Sequence, residues 1–188
     1  MSWAIWVTGR PGSGKTTVAG HVAEALAARG IRVKVLDLAA ARDLLSPPEP
    51  AADKVEETAH RMLVHATRLL TEAGIGVVVD ATAPRRAWRE AARELIPSFA
   101  EVQLVCPAEI CAERERAVRW GLSAAQRGRP AAPSGHGAPP DMAVSYEESL
   151  RPELVLDTHA HDLSITVEQV LFLVHRLRRR ASNNLELA

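Results

Sequence analysis

Gly9-Arg10-Pro11-Gly12-Ser13-Gly14-Lys15-Thr16-Thr17 decides the architecture of this chain. The spacing is glycine, four residues, glycine, lysine, threonine. It follows a short β-branched run, Ala4 to Thr8, and precedes a segment whose apolar residues Val18, Val22, Ala25 and Leu26 recur at helical steps. A strand, a glycine-rich turn and a helix in that order form a phosphate-binding loop, the P-loop. The glycines let successive amides turn inward toward phosphate oxygens, and a helix starting near Thr16 adds the positive end of its dipole. Gly9, Gly12, Ser13, Gly14, Lys15, Thr16 and Thr17 are therefore expected to hold ATP. Lys15 would neutralise the β- and γ-phosphates, and Thr16 would offer its hydroxyl to Mg²⁺.

Outward from the loop, β-branched runs alternate with helical periodicity, the pattern of an α/β fold with helices on both faces of a parallel sheet. Five strands are predicted: Ala4 to Thr8, Arg32 to Asp37, Gly76 to Asp80, Glu101 to Cys106 and Glu153 to Asp157. Helical stripes run through Val55, Ala59, Met62, Leu63, Ala66 and Leu70, and through Trp88, Ala91, Ala92 and Leu95. A last stripe, Val167, Val170, Leu171, Val174 and Leu177, should close at Arg178-Arg179-Arg180, where positive charge suits a helix C-terminus. Ser46 to Asp53 and a Pro/Gly-rich stretch from about Gly121 to Val144 read as loops, the longer as a lid or insertion spanning about 120–145. The expected organisation is one domain over 1–180, followed by a flexible tail at 181–188.

The 188 residues suit about one core at roughly 150 residues per domain. Lys plus Arg is 23 and Asp plus Glu is 23, so no whole-chain field favours a nucleic acid or a membrane, and a nucleic-acid partner is not expected. The basic residues are 20 Arg against 3 Lys, which makes a lysine inside a glycine loop informative. No apolar run reaches the roughly 18 residues of a membrane span, and MSWAIWVTGR lacks a leader pattern, so a cytoplasmic protein is expected. Cys106 and Cys111 read as reduced structural thiols. His60 and His65 do not share a helix face, and His159 and His161 have no cysteine nearby, so zinc is not expected.

In open α/β sheets ligands gather beyond the carboxyl ends of the strands, where Asp37, Asp80 and Asp157 stand. Asp80 ends an apolar run like the acidic residue that holds Mg²⁺ in P-loop proteins, and Asp37 could orient an acceptor hydroxyl and take its proton. Lys15, Asp37 and Asp80 are the catalytic candidates, and Thr16 with Asp80 the metal candidates. Arg114, Arg116 and Arg119 follow the fourth strand, where positive groups could close over a nucleotide.

Three stretches carry a family resemblance: Val7 to Asp37, Ala92 to Glu115, and Y-E-E-S-L-R-P-E-L-V-L-D-T from Tyr146 to Thr158. With them the chain resembles the adenylylsulfate (APS) kinases, P-loop enzymes that phosphorylate the 3′-hydroxyl of APS using MgATP. The resemblance implies a three-layer fold with a five-stranded parallel sheet in the order 2-3-1-4-5. It implies Arg114 against the adenine, Asp37 facing metal and acceptor, Arg42 and Arg61 approaching the acceptor nucleotide, and Arg86 at the mouth of the third strand.

The sequence departs from the family on the acceptor side. Asp37-Leu38-Ala39 stands where members have Asp-Gly-Asp, and the family's Gly-Phe-Ser segment and lid motif are replaced. Val77 to Arg86, VVVDATAPRR, is more like the strand-three motif of other small P-loop kinases, in which Asp80 would take metal or base duty. The leading expectation is a kinase for a small-molecule hydroxyl, APS first. Another small-molecule or natural-product hydroxyl, a nucleic-acid 5′ end, and a nucleotide-binding module without transfer activity stay open, as does a homodimer.

Overall fold

A computed structural model describes residues 2–45, 52–119 and 145–186 of the chain. The elements run β1 (Ala4–Gly9), α1 (Lys15–Ala27), β2 (Val33–Asp37), α2 (Leu38–Leu45), α3 (Ala52–Glu72), β3 (Gly76–Asp80), α4 (Arg86–Leu95), β4 (Phe99–Val105), α5 (Ala108–Arg119), β5 (Leu154–Asp157) and α6 (Leu163–Glu186). All strand pairs are parallel, in the order β2-β3-β1-β4-β5. The class and the strand order are those the sequence led us to expect.

The central strands β1 and β3 are buried along their whole length, so each reads as an unbroken apolar run. Alternate residues of one strand face opposite layers. Ile5, Val7, Val78, Val102 and Leu104 pack with Val18, Val22 and Leu26 of α1 and Val170, Val174 and Leu177 of α6. Ala4, Trp6, Val77 and Val79 pack on the other side with Leu38 of α2, Ala59 and Leu63 of α3, and Ala92 of α4. Each fully buried Val or Leu in these layers stabilises by about 1.5–3 kcal/mol.

Three local expectations are corrected. The inner face of α4 is Arg89 and Ala92 with Ile96 just beyond its end, not the stripe Trp88, Ala91, Ala92, Leu95; Leu95 is 39% exposed. The helix is turned because Glu101 of β4 draws the Arg89 guanidinium inward, and a paired ion can occupy a core position that an apolar pattern would miss. Leu38–Leu45, for which the sequence pattern predicts no element, is α2. Asp37 Oδ1 accepts the Ala39 N–H at 2.8 Å and so starts that helix. Finally α6 continues past Arg180 to Glu186, a stretch with no Gly or Pro to end it. Of the two expected loops, α3 takes in Ala52 and Asp53. The remaining 46–51, and the stretch 120–144 read as a lid, lie outside the described residues.

Candidate active site

The site is built at the carboxyl end of the sheet. β1 ends at Gly9, and the chain turns through Gly12 (φ 78°) and Gly14 (φ 93°) into α1. A Cβ at Gly12 would overlap the Cys111 carbonyl, so only glycine lets the loop lie against α5. At Gly14 the same Cβ would meet open space, so backbone conformation alone calls for glycine there. Ser13 is buried, and its N–H donates to the Arg10 carbonyl at 3.1 Å. The Lys15 ammonium reaches back over the loop and donates to that same carbonyl at 3.1 Å.

The period of two along a strand brings the carboxylates to this loop. Val78 faces α1, so Asp80 does too, and the Thr16 hydroxyl on the first turn of α1 stands beside its carboxylate. Asp37 pairs in register with Asp80 on the neighbouring strand, at the spacing of adjacent strands, roughly 4.8 Å. Asp80 is 5% exposed, and burial pushes its carboxyl above the ordinary carboxylate range. The Thr16 bond and the Lys15 ammonium pull it partly back, and the Asp37 carboxylate adds to the rise. Asp37 itself is exposed. Lys15, Thr16, Asp37 and Asp80, singled out separately in the sequence, thus form one cluster.

A cavity of about 830 Å³ opens beside the loop, lined by Gly14, Lys15 and Thr16, by Arg114 and Val118 of α5, and by Thr158 and His159 after β5. Arg114 is fixed in it: Nη1 donates to the Thr158 hydroxyl at 3.1 Å and Nη2 to the Thr158 carbonyl at 3.0 Å. Cys106 and Cys111 are free thiols, and burial with the neighbouring Cys106 thiol pushes Cys111 up to about 11, so it stays protonated and unreactive.

The loop, its paired threonine and aspartate, and a cavity large enough for a nucleotide make a nucleotide-dependent phosphotransferase site, and the match to known proteins runs along the chain. The adenylylsulphate kinase family model matches residues 1–157. The chain belongs to that family. A probable adenylyl-sulfate kinase of Archaeoglobus fulgidus is 36% identical over 162 residues, 86% of this chain and 99% of that one. A probable adenylyl-sulfate kinase of Bacillus subtilis is 31% identical over 172 residues, 90% of this chain and 83% of that one. A solved structure of the Mycobacterium tuberculosis APS kinase CysC in complex with AMPPNP and APS has a TM-score of 0.71 and 26% identity, covering 93% of this chain and 98% of that one. The chain is a P-loop phosphotransferase that takes its phosphoryl group from ATP and passes it to an alcohol.

Within this kinase the arginines read toward the acceptor are spread over two regions. Arg86 opens α4 at the mouth of β3; its N–H donates to Glu147 Oε2 at 2.7 Å and its Nε to the Glu148 carbonyl at 3.1 Å. Arg42 of α2 holds Glu56 of α3 bidentately at 2.5 and 2.7 Å. Arg61 is exposed, 3.8 Å from Glu57 one turn away. Arg116 donates to a carbonyl of its own helix, Ala112 O, at 3.3 Å, and the Arg119 side chain lies outside the described residues.

A buried network that no sequence motif marks lies under the site. Arg89, 1% exposed, lies 2.8 Å from Glu101, and it also donates to the carbonyls of Ala83 and Glu147. Ala83 holds φ 42°, a left-handed conformation rare for a residue with a Cβ, in the connection just after Asp80. Above Arg89 lies the Tyr146 ring at 5.1 Å, whose hydroxyl stands 3.1 Å from Thr8 Oγ1. The Thr8 proton goes to the Thr82 carbonyl at 2.6 Å, so Tyr146 is the donor to Thr8. A charge at an inward position of a strand, Glu101, preceded 12 positions earlier by an arginine on a helix, was the available signal.

Proposed function

We propose that this kinase transfers the γ-phosphoryl group of MgATP to the 3′-hydroxyl of adenylylsulfate. The observation that supports this most is the Thr16–Asp80 pair beside Lys15, with Asp37 in register, in a chain of this family. The relative solved with AMPPNP and APS gives the substrate class by likeness.

The donor set suits Mg²⁺. One hydroxyl and one buried carboxylate leave room for phosphate oxygens and water, as Mg²⁺ prefers, and among the described residues no group of three or more His, Cys, Asp or Glu competes as a metal site. Thr16 and Asp80 would hold the ion, and when bound it would neutralise charge on the β- and γ-phosphates. Gly9, Gly12, Ser13, Gly14 and Thr17 would cradle the phosphates through the loop amides and the α1 N-terminus. Lys15 would leave the Arg10 carbonyl to meet the β- and γ-phosphates. Arg114, fixed by Thr158, would lie against the adenine.

Asp37 is the carboxylate free to face an acceptor: it is exposed, and one oxygen caps α2. It would orient the hydroxyl in line with the γ-phosphorus and accept its proton. Arg42, Arg61 and Arg86 are assigned to the acceptor side. Among the described residues no helix is long and apolar enough to cross a membrane.

ADP release from MgATP tests the proposal, measured in parallel with APS, hydroxylated small molecules and a 5′-hydroxyl oligonucleotide. Fast release that requires APS is expected. Release only with another acceptor, or with none, overturns it.

A further inference from the structure

The peptide that joins Ser13 to Gly14 is held from outside the phosphate loop. The hydroxyl of Thr158, just past β5, donates to the Ser13 carbonyl at 2.9 Å. A hydroxyl has one proton, so the contact from Arg114 Nη1 at 3.1 Å must use a lone pair of the same oxygen. The Thr158 N–H donates to the Val105 carbonyl at 3.0 Å, which ties the residue to the end of β4. One side chain thus joins the phosphate loop, the sheet and the arginine of α5.

This arrangement has a consequence for the next amide. A trans peptide is planar, with its carbonyl and N–H pointing in opposite directions. Drawing the Ser13 carbonyl to Thr158 therefore fixes the Gly14 N–H on the other side of that plane. Gly14, at φ 93° and ψ 15° with open space at its Cβ position, is the residue least able to hold the plane by itself.

We propose that Thr158 is a positioning residue for ATP: its hydroxyl keeps the Gly14 N–H directed at the phosphates and, through Arg114, sets the distance between the phosphate and base ends of the cavity. The inference rests on the reading of this cavity as the ATP site. Thr158→Val removes the hydroxyl at nearly constant shape. It leaves the Ser13 carbonyl without its donor, and Arg114 keeps its contacts to the Thr158 carbonyl and the Cys106 thiol but loses the hydroxyl. Thr158→Ser restores both.

Steady-state kinetics of the full chain with MgATP, together with thermal unfolding, tests this. Thr158→Val is expected to raise KM for ATP about ten- to a hundredfold, the size of one bond to a charged group. KM for the acceptor should stay where it is, and Thr158→Ser should return the ATP value to that of the wild type. An unchanged KM for ATP, or equal changes in both KM values together with a lost Tm that serine does not restore, overturns the proposal. Because the valine variant could fail to fold, amide NMR of the ¹⁵N-labelled wild-type chain titrated with ADP supplies a second reading. A saturable downfield shift of the Gly14 proton supports the proposal. Shifts at Lys15 and Thr16 with none at Gly14 overturn it while leaving the cavity as the ATP site, and no shift anywhere in the loop overturns both.

Discussion

The hydroxyl of Thr16, on the first turn of α1, stands beside the carboxylate of Asp80 at the carboxyl end of β3 and favours its ionised form. With Val18 and Val22 packed on Val78, this contact keeps the phosphate loop and the acidic strand end side by side. It also explains how a carboxylate only 5% exposed is tolerated: a hydroxyl donor and the Lys15 ammonium offset part of its desolvation. The raised carboxyl shows that the offset is incomplete. Asp80 is thus poised to gain from a cation.

The pH dependence follows from that. As the proposed Mg²⁺ ligand Asp80 must be ionised, so kcat/KM for ATP should fall on the acid side at a pH above the ordinary Asp range. Protons and Mg²⁺ compete for the same carboxylate, so raising Mg²⁺ should move this limb to lower pH. A limb that stays put at all Mg²⁺ concentrations removes Asp80 as the ligand. For stability without ligand the sign is opposite to that of a salt-bridged aspartate. The folded state binds this proton more tightly than the unfolded chain does. Asp80's contribution is therefore most favourable below the ordinary Asp range and is lost as pH rises through its raised folded value. Asp80→Asn should accordingly melt no lower than wild type at pH 7, while losing activity.

Lys15 is the one lysine of the loop, and its ammonium sits on the Arg10 carbonyl. Replacing it with alanine removes a preorganised positive charge from the transferring phosphoryl group, and kcat should fall by about 10²–10³. Because Lys15 is at the surface end of the loop and not in the core, Tm should change little. ADP release at saturating MgATP reads the first effect and calorimetry the second; wild-type turnover in the alanine variant removes Lys15 from the mechanism.

Asp37 has two possible jobs that one pair of variants separates. Its Oδ1 caps α2 through the Ala39 N–H. Asparagine caps about as well as aspartate, whereas alanine costs about 1 kcal/mol. If the carboxylate also takes the acceptor proton, Asp37→Asn and Asp37→Ala should lower kcat alike, with only the alanine variant losing stability in urea. Full activity in Asp37→Asn would reduce the residue to a cap.

How much of this was legible in the sequence depends on whether a residue acts locally. Lys15 and Thr16 announce themselves by spacing to two glycines, and Asp80 by closing an apolar run, so all three stand out as candidates, and the fold brings them together. Asp37 stands out as a strand-end carboxylate, and its register with Asp80 follows from the strand order. Arg89 and Thr158 were not found. Their partners are 12 and 145 positions away, Glu101 and Ser13, and neither residue type stands out in its own neighbourhood. The same reason hid the true face of α4. An apolar count treats arginine as a surface residue, and only the glutamate on the next strand makes it a core one.

That buried pair yields the largest expected stability effect. Arg89 is 1% exposed and Glu101 2%, and between them they reach Ala83, Glu147, Ser149 and Arg93. Removing one partner leaves the other charged in a dry site, which costs about 3–5 kcal/mol. Arg89→Met and Glu101→Leu should each lower stability by that amount in urea unfolding. The double variant, which leaves no lone charge, should recover a large part of the loss. Activity separates a second role. Arg89 also holds the carbonyl of Ala83 in its left-handed conformation, three residues beyond Asp80, and bears the Tyr146 ring. The double variant should therefore regain stability without regaining kcat, because it lacks the arginine that holds the Ala83 carbonyl. Recovery of both together would mean that Arg89 stabilises the core and has no hand in placing Asp80.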